Sequence, residues 1–349
     1  MMPPQETIDR ADHPPSASAG DYDRRAPSLE WYMYEGTNMT VQAKRIGTRA
    51  QVERALDAVV DQAGGEAALA AMNLTTGEEI ARNAERSMPT ASVFKLPLLV
   101  EVFRQAEAGA LDLDERATLH AEDVVMGSGI LRDFGPGLQP TLRDLTMMMV
   151  IVSDNSATNL LLDRVGGPQR VNATMRELGL SSIVVHRRIV FGEMTTNSSL
   201  AEAAPRDLMR LVAMLAREEL VSPAASREML AILGRQRYLE QAPRFVAYGP
   251  YAGDFARAQP IRVFNKTGMI NGLRADSGLI TIDPDVRIAY SVVNDTGADD
   301  SYRHEHPGDI VNALIGRVLV EYWWPGEWSP ELAVYPSPYV EMLFSQAGL

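Results

Sequence analysis

Between Asp112 and about Gly234 the apolar residues recur almost throughout at helical spacing, while apolar runs of strand length fall only before and after that region. A chain ordered in this way has to build its sheet from two pieces that are remote in sequence. The helical signals are Thr141 to Val152, Asn155 to Val165, Gln169 to Leu178, Pro205 to Arg217 and Ala224 to Leu233, with short Gly, Pro and Ser breaks between them. Ahead of them, a helix capped by Thr48 carries Val52, Leu56, Val59 and Val60. A strand from Ala67 to Leu74 then turns at Thr75-Thr76-Gly77-Glu78 into a second strand, Glu79 to Arg82. After Gly234 come strands at Pro260 to Phe264, Ser277 to Ile282 and Val286 to Val293, the last two joined by a turn at Asp283-Pro284-Asp285, and then a helix from about Pro307 to Tyr322. The pattern predicts one sheet domain interrupted by a helical insertion. Only Ser181 to Ala204 lacks a sustained period, and loops of that length are usually functional or disordered.

The junction where a polar stretch meets the apolar run Phe94 to Phe103 reads Ala91-Ser92-Val93-Phe94-Lys95. As a helix starting at Ser92, it places Ser92 and Lys95 on one face. A serine hydroxyl needs a neighbour to take its proton, and a lysine does so once burial or a nearby cation lowers its pKa. The start of a helix also offers free backbone N–H groups suited to an oxyanion. Of 33 Lys and Arg, lysine occurs only at Lys44, Lys95 and Lys266. Arginine stays protonated at any physiological pH, so a site that passes a proton cannot use it. Two of the three lysines stand in motifs where that difference matters: Lys95, and Lys266 in Lys266-Thr267-Gly268, read as the end of a strand.

Composition narrows the chemistry. A net charge of −13 argues against a nucleic-acid or anionic-membrane surface. The absence of cysteine removes disulfides, thiolate metal sites and cysteine nucleophiles together. Only His304 and His306 of the five histidines lie close in sequence, so neither a metal nor another cofactor is expected. Residues 1–30 contain no apolar core of signal-peptide length, and Arg24-Arg25 is followed by two glutamates and no hydrophobic run, which predicts a cytoplasmic protein.

A third motif, Ser153-Asp154-Asn155, lies between two helical segments. Ser-x-x-Lys, Ser-Asp-Asn and Lys-Thr-Gly in this order resemble the class A serine β-lactamase family, over about Thr48 to Trp324. The resemblance implies an α+β fold, an antiparallel sheet flanked by helices as a discontinuous domain with an inserted all-α domain. The boundaries expected are a disordered leader at 1–45, a sheet domain at 46–88 and 235–324, an all-α domain at 89–234 and a tail at 325–349. It implies Ser92 as the acylated nucleophile, Lys95 as its proton partner and Ser153 as relay to the leaving nitrogen. Asn155 would hold the substrate's side-chain amide, Lys266 and Thr267 its carboxylate, and the N–H groups of Ser92 and Met269 the oxyanion. Arg274 is a looser candidate for a second carboxylate contact, with a surface arginine on a strand edge as the plain alternative. The substrate is expected to be a small molecule, a β-lactam or another acyl compound, and the protein a monomer.

The departure from the family lies in the long loop. Where class A enzymes carry Glu-x-x-Leu-Asn, this chain has Glu193-Met194-Thr195-Thr196-Asn197. Glu193 and Asn197 keep the separation that would position a hydrolytic water, but threonine replaces leucine, and a solvent-facing loop glutamate is the alternative. An intracellular esterase, peptidase or transacylase, or a penicillin-binding sensor that is acylated once, therefore stands beside the β-lactamase reading.

Overall fold

The computed structural model describes residues 44–63, 65–190, 200–246, 260–282, 285–296, 299, 301–325 and 337–349. In chain order its elements are α1 (Arg49–Ala63), β1 (Glu66–Asn73), β2 (Glu79–Arg82), β3 (Met88–Pro89), α2 (Lys95–Glu107), α3 (Leu142–Ile151), α4 (Asn155–Arg164) and α5 (Pro168–Glu177). There follow β4 (Val184–Val185), β5 (Ala201–Ala203), α6 (Pro205–Ala216), α7 (Pro223–Leu233), β6 (Ile261–Ile270), β7 (Leu273–Ile282), β8 (Val286–Asp295), α8 (Pro307–Tyr322) and α9 (Pro338–Gln346).

The α+β class expected from the sequence is observed. Strands β1 and β2 join β6, β7 and β8 in one antiparallel sheet of order β2-β1-β8-β7-β6. Side chains alternate across a strand, so each strand feeds two cores. Ala68 and Ala70 of β1, with Ala275, Leu279, Ala289 and Val293, pack in the core shared with α2 to α7. Leu69 and Ala71, with Ile280, Ile288 and Val292, pack in the core shared with α1, α8 and α9. With both faces covered, β7 and β8 are buried along nearly their whole length instead of at alternate positions.

Local chemistry sets the boundaries. The Asn73 side-chain oxygen accepts from the N–H groups of Thr75 and Thr76, and Gly77 takes a φ of 76°, which together close the first hairpin. Thr141 and Asp144 cap α3 reciprocally, and Asp154 caps α4 through the Ala157 N–H. Helices α5, α6, α7, α8 and α9 all start on proline, where the missing N–H costs nothing.

Two expectations are corrected, and two stretches given no elements in the sequence reading gain them. No α-helix starts at Ser92: Ala91–Phe94 is a 3-10 turn and the α-helix begins at Lys95. Lys266-Thr267-Gly268 lies well inside β6 and does not end it, because its polar side chains are buried by packing that no apolar alternation announces. The C-terminal tail contains a helix, α9, held by Val340, Leu343 and Phe344 in the second core. The long aperiodic stretch carries β4 and β5, which pair with each other, and β5 with β3, in a small second sheet. The turn at Asp283-Pro284 lies outside the described residues.

One buried carboxylate ties the helix that carries Lys95 to its neighbour. Glu101 of α2 accepts from Arg104 and Gln105 of its own helix and from Thr174 Oγ1 and Arg170 Nε of α5. Burial raises its pKa, but these hydrogen bonds outweigh that and hold it below the usual glutamate range. Glu101→Ala is expected to lower the unfolding free energy by roughly 1–3 kcal/mol, since it strands the buried Thr174 hydroxyl and cuts the link to α5. Urea denaturation of the two proteins checks it, and an unchanged midpoint would contradict it.

Candidate active site

The turn at Ser92 is shaped from three sides. Ala91 takes a φ of 44°, a left-handed conformation unfavourable for a residue with a side chain. Thr90 N donates to Ala201 O, which pins the turn to β5 of the small sheet. On the other side β6 approaches so closely that a methyl group at Gly268 would lie 2.7 Å from Thr90 O and 3.0 Å from Ser92 N. Only glycine lets the strand and the turn meet.

Lys95 links two of the three motifs. It is fully buried, and its Nζ donates to Ser153 O at 2.7 Å, Ser153 Oγ at 2.9 Å and Asn155 Oδ1 at 3.1 Å. Ser153 sits between α3 and α4 with a φ of 53°, and Ser128 Oγ adds a second bond to its carbonyl at 2.7 Å. Asn155 is engaged at both ends, since its Nδ2 donates to Met126 O at 3.0 Å. Burial, and after it the charge of Lys266, push the Lys95 pKa well below the ordinary lysine value, with Asp154 pulling the other way.

The third motif brings a second buried lysine. Lys266 Nζ donates to Thr267 O at 2.7 Å, and burial lowers its pKa to about 7 against the raising influence of Asp276. Asp276 on β7, directly across from Thr267 in the ladder, is fully buried. Its carboxylate accepts from Asn265 Nδ2 at 2.9 Å, Tyr290 OH at 3.1 Å and Ala242 N at 3.1 Å, while burial pushes its pKa up to about 7.

These pieces meet at a cavity of about 380 Å³. Ser92, Ser153, Asn155, Thr267 and Met269 all line it, with Lys95 immediately behind Ser153 and Asn155. Arg274 does not line it. Far from lying on a strand edge, it is buried on the inner strand β7 and paired with Asp309 of α8 at 3.2 Å. Glu193 and Asn197 lie outside the described residues. The structure adds lining residues that sequence reading missed, Ser128, Tyr238 and Tyr302. A signal existed for the first: Gly127 and Gly129 flank Ser128 with φ of 100° and 108°, and a methyl group at Gly129 would strike the Asp154 side chain at 2.3 Å. Nothing local distinguishes the two tyrosines. Among the described residues no group of three His, Cys, Asp or Glu forms a metal-binding cluster, and no helix is long and apolar enough to cross a membrane.

In this α+β fold the serine turn and the Ser-Asp-Asn turn meet at one cavity, and the buried lysine stands behind the second of them. Residues 51–323 match the β-lactamase enzyme family, and the chain belongs to that family. β-Lactamase L2 of Stenotrophomonas maltophilia is 31% identical over 201 residues, which span 56% of this chain and 63% of that protein, less than two thirds of its length. The crystal structure of a β-lactamase from Sphaerobacter thermophilus DSM 20745 has a TM-score of 0.70 at 30% identity, covering 78% of this chain and 97% of that one. A mutant of the class A β-lactamase of the last common ancestor of Gram-negative bacteria shares the fold, with a TM-score of 0.67 at 22% identity over 78% of this chain and 97% of its own.

With only Lys44, Lys95 and Lys266 in the chain, the lysines can be followed singly. In a protein labelled with 13C at lysine Cε, and assigned by single Lys→Arg replacements, the Lys266 resonance is expected to titrate near pH 7, charged below and neutral above. Titration of all three lysines in the ordinary range near pH 10.4 would refute the desolvation argument.

Proposed function

We propose that this protein is a serine hydrolase that opens β-lactam amides through an acyl-enzyme on Ser92. The observation that carries the reading is the placement of Lys95, whose Nζ bonds Ser153 and Asn155 at the back of the cavity that Ser92 lines. Burial favours its neutral amine, which has a lone pair to accept the Ser92 proton. Ser92 Oγ then forms a bond to the lactam carbonyl carbon, and the backbone N–H groups of Ser92 and Met269 hold the oxyanion. As the carbon–nitrogen bond breaks, Ser153 Oγ passes a proton to the leaving nitrogen and regains one from Lys95. Asn155 orients the substrate's side-chain amide.

Lys266 in its charged form and Thr267 anchor the substrate carboxylate. Because the Lys266 pKa lies at about 7, that anchor is complete at acid pH and lost as pH rises through 7. Water hydrolyses the ester in the second step, activated by Glu193 with Asn197. The replacement of leucine by Thr196 inside that loop motif supports a second reading, in which the acyl group stays on the serine or goes to an acceptor other than water.

Intact-protein mass spectrometry after mixing with a penicillin separates these steps. Ser92→Ala is expected to carry no added mass, and labelling at the wild-type rate would remove Ser92 as nucleophile. Glu193→Gln keeps the size of the side chain but loses its basicity, so the burst of acylation is expected to persist while deacylation slows by on the order of a hundred- to ten-thousand-fold. Wild-type turnover by Glu193→Gln would make the glutamate a bystander. Accumulation of acyl-enzyme in the wild type itself would favour the second reading.

A further inference from the structure

Arg274 and Tyr302 form a unit at the edge of the cavity. The Arg274 guanidinium, beyond its pairing with Asp309, donates to Asn271 O at 2.6 Å and Leu273 O at 2.9 Å through Nη1, and to Ser301 O at 3.0 Å through Nη2. Turning it towards a substrate would leave Asp309 as a buried, unpaired charge, a costly exchange. Its carbon centre lies 5.6 Å from the centroid of the Tyr302 ring. Tyr302 is fastened at its far end too, where its hydroxyl accepts from Asn271 N at 3.0 Å. Behind it, the buried His306 accepts from Gly308 N at Nδ1, which leaves its Nε2 to donate to Asp299 O at 2.9 Å and tether the start of the segment.

A side chain held at so many points would ordinarily be buried, yet Tyr302 is 63% exposed and lines the cavity. It has company. Of the eight large apolar side chains exposed among the described residues, Met269 and Tyr302 line the cavity, and Met126, Ile130 and Val190 lie within two residues in sequence of others that do. Exposed apolar surface concentrated at the mouth of one cavity marks a place where apolar ligand surface is meant to go.

We propose that Tyr302 is a specificity-determining residue whose ring packs on an apolar or aromatic substituent of the acyl donor, and that Arg274 with Asp309 positions this ring instead of meeting the substrate carboxylate. The proposal rests on the acyl-transfer reading above. The ring is fixed before substrate arrives, so stacking on it costs little conformational entropy. The class of substrate follows: acyl donors with a bulky apolar group beside the reactive carbonyl, in preference to bare ring systems.

The test compares kcat/KM for a chromogenic cephalosporin carrying an aryl group on each side of the bicyclic nucleus with that for 7-aminocephalosporanic acid, which carries none. Tyr302→Ala is expected to slow the first by about tenfold and the second by less than about twofold, in keeping with the loss of one aromatic contact. Tyr302→Phe, which keeps the ring, is expected to restore most of the difference. The double variant Arg274→Gln/Asp309→Asn removes both buried charges together and is expected to reproduce the selective loss of Tyr302→Ala. A carboxylate contact by Arg274 would instead slow both compounds alike, and that result would overturn its positioning role. Equal losses on both compounds in Tyr302→Ala, or none on either, would overturn the role of Tyr302 whether or not the double variant folds. Failure of the wild type to react with either compound would overturn the acyl-transfer reading, and the proposal with it.

Discussion

An amine stripped of water must find its hydrogen bonds in the protein, and Lys95 finds three partners in the Ser153–Asn155 turn, two oxygens that accept and the Ser153 hydroxyl, which can donate to the neutral amine. That demand welds α2 to the junction of α3 and α4. It also accounts for the left-handed backbone of Ser153, since the unfavourable conformation turns both the carbonyl and the hydroxyl of one residue towards the same nitrogen. The next residue carries the order outward. Asp154 caps α4 and accepts from Ile130 N and Leu131 N, so the loop that brings Ser128 to the cavity is held by the same turn.

Two buried lysines in one region of low dielectric cannot both hold a charge cheaply, and the protein treats them differently. Lys95 has a cation nearby and no carboxylate in contact, so burial and repulsion both drive it towards the neutral amine. Lys266 has the buried Asp276 on the neighbouring strand, which opposes the effect of burial and keeps the charged form within reach near neutrality. Asp276 is itself fixed by Asn265, Tyr290 and Ala242, so the partition is built into the sheet. In the proposed reaction one lysine has to accept a proton and the other to hold an anion, and this asymmetry suits both tasks.

The sheet supplies the frame. Because its strands are buried on both faces, polar residues within them are conspicuous, and Asn265, Lys266, Thr267, Arg274 and Asp276 gather in β6 and β7, next to the turn at Ser92. Close approach there depends on Gly268, whose missing side chain lets an edge strand touch the turn. Arg274 shows the other use of a buried charge. Its partners on β7, α8 and the Ser301 segment make it a brace between the sheet and the cavity wall.

The sequence by itself determined what depends on neighbours within a turn or two: helical period, capping residues, hairpin turns and the three short motifs. Most helix boundaries and the strands Glu79–Arg82 and β8 were legible in this way, and so were Ser92, Lys95, Ser153, Asn155 and Thr267 as residues that belong together. Tertiary structure alone decided the rest. The left-handed Ala91 reflects the squeeze between β5 and β6, which no local propensity encodes. Lys266-Thr267-Gly268 falls inside a strand because the hydrogen-bond ladder with β7 continues through residues whose polarity interrupts the apolar pattern. Tyr238, which follows α7 and bonds Val152 O, and Tyr302, between β8 and α8, reach the same cavity as Ser92 from more than a hundred residues away. A cavity wall assembled from such distant segments leaves no periodic trace in the chain, because what selects each residue is a neighbour in space.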